Sequence, residues 1–298
     1  LDLGNYANSG LTYAPIYDSA VDVFVYDTRK DSDGGAWRKR CQHTSWYNET
    51  LNTSTRGSRR EFPAVAVIVT QATRVTIYDG DDPLMPMWMK FEPNGIIDWP
   101  TSNATRIYAS AVNGIMATVT NDGGHLFKFI EDYVELIYLS TSYPLTSSRT
   151  IAGRNDTTSY TSAGGASRVY VLGSYSYRDV AMTVLPNAPI DDATGLPTPS
   201  VVVAHDNGLS VINYDGTVSK LSDNLSANRK FEKATIIGTD VIGYNDPNGT
   251  IQRFFNALNV KNDSDNDMKY NYTYGGGGGS TENISAVLRD TIGVPIGL

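Results

Sequence analysis

Three aspartates at alternate positions, Asp263, Asp265 and Asp267 in NDSDNDM, have the spacing at which loop carboxylates converge on a calcium ion. An EF-hand loop also needs a glycine after the third acidic residue and a glutamate six residues beyond that glycine. Met268 stands at the glycine position, and the next glutamate is Glu282. Calcium is the one cofactor these residues point to, and a solvated polar turn is the plainer reading; Asp79, Asp81 and Asp82 read the same way. The three histidines, His43, His125 and His205, are too far apart for metal spacing, and Cys41 with His43 reads as a pair on one face of an exposed strand. Neither a G-x-S-x-G elbow nor a glycine-rich phosphate loop occurs, so no catalytic residue is assigned and the chain reads as a non-enzyme.

Two basic stretches are the other candidate. Arg38, Lys39 and Arg40 in WRKR, with Arg56, Arg59 and Arg60 in RGSRR, flank a polar segment and suggest a patch for anions or docking. Runs of charge are more often a solvated face. Nineteen tyrosines against eight phenylalanines suit contact surfaces and sugar binding as well as half-buried strands. The formal charge of -8 repels phosphate backbones, so nucleic acid is not an expected partner. A single cysteine excludes an internal disulfide framework, and no apolar run is long enough to cross a membrane as a helix. Nine Asn-x-Ser/Thr sequons are what a chain rich in these residues produces by chance.

The elements that must position these residues are strands. Val21–Tyr26, Ala64–Thr70, Arg74–Tyr78, Val134–Leu139, Arg168–Leu172 and Val180–Leu185 are rich in β-branched and aromatic residues. Turn residues separate them, and no 3.6-residue stripe persists over three turns. Three longer runs, Tyr108–Ile130, Val201–Leu221 and Ala234–Phe255, repeat a strand–turn–strand–turn–strand pattern. Asp79-Gly80, Asp122-Gly123, Asp215-Gly216 and Asn248-Gly249 supply turns that tolerate positive φ. Their spacing predicts roughly six or seven units of propeller-blade length. The expected fold is all-β, a β-propeller-like array of small antiparallel sheets, with a β-sandwich or tandem sandwiches as the alternative. The expected organisation is an N-terminal arm over residues 1–15 and one repeat domain over 16–298. Propeller rings are commonly closed by an N-terminal strand, here Val21–Tyr26. Residues 142–166 and 186–198 and the five glycines Gly275–Gly279 read as loops. Thr291–Leu298 parallels Ala193–Pro199, which leads into a strand, so the natural chain is expected to continue past Leu298.

Asp31–Trp37 (DSDGGAW) resembles the Asp-box hairpin of sialidase propeller blades, with Asp33 and Gly35 at its Asp and Gly, Asp31 in place of its Ser, and Trp37 one position early. In that family the box is a structural turn remote from the active site. Asp22–Arg40, Ser45–Thr50 (SWYNET) and Pro199–Thr217 together resemble propeller-bearing virion and tail proteins of tailed marine bacteriophages, most strongly over residues 20–50 and 195–255. That resemblance implies a structural or adhesion part of the tail (a fibre, a spike, or a piece of the tip or nozzle) located in the virion. The implied partners are further copies of this chain, other tail proteins and host surface glycans. The alternatives are an extracellular carbohydrate-binding module and, second, a propeller glycosidase or lyase, which would need paired carboxylates or an arginine cluster in a cleft.

Overall fold

The computed structural model describes residues 19–92, 106–121, 123–138, 150–155, 169–172, 176–221, 230–245, 250–254, 256–259 and 268–273. The calcium candidates Asp263, Asp265 and Asp267 lie outside these residues, as do the arm over 1–15, Gly275–Gly279 and Thr291–Leu298.

Seventeen described strands form four separate small sheets. The first holds β1 (Ala20–Asp27), β2 (Val65–Gln71), β3 (Arg74–Asp79) and β4 (Met87–Phe91). The second holds β5 (Ile107–Val112), β6 (Ile115–Thr120), β7 (Gly124–Lys128), β8 (Tyr133–Tyr138) and β9 (Val169–Val171). The third holds β10 (Tyr177–Thr183), β11 (Ser200–His205), β12 (Gly208–Ile212) and β13 (Val218–Leu221). The fourth holds β14 (Phe231–Ile237), β15 (Asp240–Asn245), β16 (Thr250–Phe254) and β17 (Met268–Thr273). Strands follow one another in chain order as antiparallel meanders, and only β9 breaks the pattern by pairing parallel to β8.

Each sheet packs against the next through its leading strands: β1 and β2 against β5, β5 and β6 against β10, and β10 and β11 against β14. Three apolar clusters fill these junctions. Because sheets are covered on both sides, inner strands such as β11 (SVVVAH) and β12 (GLSVI) are buried at every position rather than at alternate ones. A row of meanders stacked through their first strands is a propeller-like array, and the all-β expectation holds. Two sheets packed face to face, as in a sandwich, do not describe it.

All three repeated runs are sets of consecutive strands: β5–β7, β11–β13 and β14–β16. The unit count differs, with four sheets among the described residues in place of six or seven units. Long connections lengthen each unit, above all the segment 28–64 between β1 and β2, so the turn spacing does not measure a blade. Asp79-Gly80 opens a wide connection to β4 rather than a tight turn. One of the two-residue hairpins is Asn113-Gly114, whose φ values of 51° and 73° are those of a turn that follows the strand twist. Val21–Tyr26 lies within β1, which pairs with β2 of its own sheet, so among the described residues no strand from the N-terminus joins the last sheet.

Candidate functional site

In the basic stretches Arg56 is buried, Arg38 and Arg59 are half-buried, and Lys39, Arg40 and Arg60 are exposed; the five arginines all have partners within the chain. Segment 28–64 leaves β1 through a 3-10 turn, Thr28–Lys30, and a 3-10 helix, Ala36–His43, then returns to β2. Arg38 donates to Glu61 Oε1 at 3.2 Å and to the Phe62 carbonyl at 3.0 Å. Arg40 pairs with Asp33 at 2.9 Å. Arg59 reaches both Asp79 (2.9 Å) and Asp81 (2.7 Å), and Arg60 donates to the Tyr47 carbonyl. Arg56 is 1% exposed, donates to the carbonyls of Trp88 and Arg60, and lies 4.4 Å over the Trp88 ring. Burial lowers its guanidinium to about 10, against the pull of Glu49. Lys39 remains exposed.

These contacts make the segment a clamp on the first two sheets. Trp37, Trp46, Phe62, Trp88 and Phe129 are all buried and meet edge to face or tilted, with centroids 4.8–6.1 Å apart. Trp46 Nε1 donates to the Phe129 carbonyl at 2.7 Å, and Ser45 donates through N and Oγ to Asp132, both across the junction. Arg154 donates to the carbonyls of Lys90 and Thr55 and pairs with Glu49. Residues 55–57 also cover the β4 edge: Lys90 N donates to the Thr55 carbonyl and Gly57 N to the Trp88 carbonyl. A side chain at Gly57 would put its Cβ 2.0 Å from the Met87 carbonyl oxygen.

Asp31 is the hub of the Asp-box-like segment. Its Oδ2 accepts from Tyr26 Oη at 2.6 Å and Trp37 Nε1 at 2.7 Å, and its Oδ1 from Asn113 N at 2.9 Å. Burial raises its carboxyl above the usual range, although all three donors oppose the shift. Locally the segment is not a hairpin between strands: it runs from one 3-10 element into another, with Asp33 Oδ1 accepting from Gly35 N. Cys41 and His43 share no exposed strand face. They lie on the 3-10 helix Ala36–His43, with the Cys41 thiol buried and pushed up to about 12 by that burial, while His43 is exposed.

The candidate functional site is a cleft of about 300 Å³ between the second and third sheets. The β7–β8 register sets Lys128 opposite Tyr133 and Leu126 opposite Glu135. Lys128, Tyr133 and Glu135 thereby share one face of the sheet. Lys128 Nζ donates to Tyr133 Oη at 2.8 Å and pairs with Glu135 at 3.2 Å and Glu131 at 3.4 Å. Glu135 accepts from Tyr133 Oη (3.2 Å) on one oxygen and from Tyr170 Oη (3.0 Å) on the other. From the third sheet come Asp191, in the β10–β11 connection, and an apolar wall that includes Met182 and Ile212. Asp191 is fixed by accepting from Ala193 N and Thr194 N.

Among the described residues, three carboxylates and one ammonium therefore line the cleft. Burial alone would lower Lys128, but Glu135, Tyr133 and Glu131 outweigh it and hold the ammonium above its ordinary value. Burial pushes Tyr133 up to about 12. Burial also raises the Glu131 carboxyl, and nearby Asp191 adds to the shift against the pull of Lys128. Glu135 is engaged on both oxygens, which suits a wall group better than a proton carrier. The basic-residue motifs led elsewhere; the available signal was a glutamate inside the otherwise apolar strand run Val134–Leu139.

No family model matches the chain, and no curated protein matches it in sequence. Among solved structures, it is similar to a streptogramin B lyase at 12% identity and a TM-score of 0.35, covering 65% of this chain. The chain spans about half (49%) of that protein's length. Virginiamycin B lyase from Staphylococcus aureus is similar at 13% identity, TM-score 0.26, over 80% of this chain and 76% of its own. Kluyveromyces lactis Hsv2 is similar at 12% identity, TM-score 0.23, over 73% of this chain and 81% of its own. No functional residue is carried over from any of them.

Proposed function

We propose that this chain is a structural or adhesion component of a bacteriophage tail, a rigid β module that assembles with other tail proteins. The carrying observation is the clamp. Asp22–Arg40 and Ser45–Thr50, which bear the resemblance to tail proteins, supply Tyr26, Asp31, Trp37, Arg38, Ser45, Trp46 and Glu49 to the junction of the first two sheets. The residues that bear the resemblance thus build a device for stiffness rather than a reaction centre. Aromatic packing, buried guanidinium groups and a covered sheet edge suit a part that must persist without disulfides and present a fixed surface. Closed rings or trimers of such modules are the assembly expected on a tail axis.

Antibody labelling of intact particles by negative-stain microscopy tests this reading. Labels at one end of the tail support it. Labels confined to lysate, never on particles, overturn it.

A further inference from the structure

The cleft between the second and third sheets has a chemistry that the tail reading does not use. Its volume of about 300 Å³ is at the small end of ligand pockets. Among the described residues, Glu131, Glu135 and Asp191 line it against the single cation Lys128, and the wall that includes Met182 and Ile212 is apolar. Lys128 is already committed to Glu131, Glu135 and Tyr133, so the cleft keeps an excess of negative charge.

We propose that this cleft binds a small organic cation through a primary ammonium group, which Glu131 and Asp191 receive while its carbon skeleton lies on the apolar wall. Metal ions are a poorer fit, because no group of three metal-ligating side chains occurs among the described residues. A neutral sugar would leave the charge excess unanswered, and an anion would add to it. The raised Glu131 carboxyl supplies a linkage: an arriving ammonium favours the carboxylate, so binding releases a proton and tightens as pH rises. The proposal stands apart from the tail reading, since a cleft of this kind would bind its ligand on or off a particle.

Glucosamine and an Nα-acetylated lysine amide share the ammonium but come from glycan and protein sources, and glucose serves as the neutral control. Calorimetric titration of the full chain with each is the test. We expect both amines to bind, glucose not to, and affinity to rise as pH rises beyond the ordinary carboxylate range. The stronger of the two amines then names the source. Glu131→Gln should weaken the amines by about tenfold or more with the melting temperature little changed. Asp191→Asn keeps the backbone-accepting oxygen and should weaken them less. No amine binding at millimolar concentration, equal binding of glucose, or full affinity in both variants would overturn the proposal.

Discussion

The junction between the first two sheets and the junction between the second and third are built on the same strand geometry but filled differently. In the first, an inserted segment brings Trp37, Trp46, Phe62 and the buried Arg56 against Trp88 and the buried Arg154, and the charges end on carbonyls and carboxylates within the packing. In the second, no such segment intrudes among the described residues, and the ion network of Lys128, Glu131 and Glu135 lies on the wall of an open space. Stacked sheets of fixed spacing leave a wedge between them, and its filling decides whether it becomes a rivet or a pocket. The clamp and the cleft should therefore respond to different degrees to loss of a side chain.

The largest expected effect is Trp46→Ala, which removes a fully buried indole from the centre of the aromatic cluster and its hydrogen bond to Phe129. The cost is about 3–5 kcal/mol, or roughly a 10 °C fall in melting temperature for a chain this size. Thermal unfolding measures it; a fall of only a degree or two would mean that the clamp is not a core. Asp31→Ala comes next. It strands the Tyr26 hydroxyl, the Trp37 indole N–H and the Asn113 amide together, at about 2–4 kcal/mol. A cost below about 1 kcal/mol would show that water reaches this hub.

Acid should weaken the structure through two buried histidines on sheets that flank the cleft. Burial lowers His125 to about 3, and burial aided by Lys220 lowers His205 to about 4. His205 Nδ1 accepts from Asn207 N, so its Nε2 carries the proton and donates to Ser210 Oγ. Both native values lie below the unfolded value of about 6.5, so the unfolded chain takes up protons first. Stability is thus full above about pH 6.5 and falls as pH drops toward 4. Asp179 has the opposite sign. Burial raises it to about 6 against an unfolded value near 3.8, so its contribution is present at low pH and lost as pH rises through about 6. The histidine shifts are the larger, and the net expectation is a lower melting temperature at about pH 4.5 than at pH 7, with the difference reduced in His205→Gln. An unchanged profile in that variant would remove His205 from this account.

How much of this was legible depends on range. The hairpins of Val201–Leu221 were readable because adjacent strands and turn residues are local signals, and the structure places β11, β12 and β13 there. The clamp was not legible because a charge run does not reveal its partners: Arg56 finds Trp88, and Arg154 finds Glu49, across long stretches of chain. The cleft was missed for the same reason. Lys128 and Glu135 meet through strand register, Asp191 arrives from another sheet, and none of the three belongs to a motif. The Asp-box likeness marked a real turn, yet its important residue is Asp31, where the box has serine.

The smallest expected effect carries the sharpest form of the comparison. Tyr170→Phe removes one of the donors to Glu135 and leaves Oε2 without that bond, while the ring keeps its packing. In a dry core, an orphaned buried carboxylate oxygen would cost several kcal/mol. At the cleft, a neighbouring space of about 300 Å³ is roomy enough for water, and a bridging water can replace a phenol at little cost. The expected loss is therefore about 1 kcal/mol or less by denaturant unfolding. Trp46→Phe tests the same kind of lost donor at the clamp, where packing surrounds the Phe129 carbonyl, and should cost about 1–2 kcal/mol more than Tyr170→Phe. Equal costs would mean that the two junctions are equally closed, and the cleft would then be a flaw in packing rather than a place for a ligand.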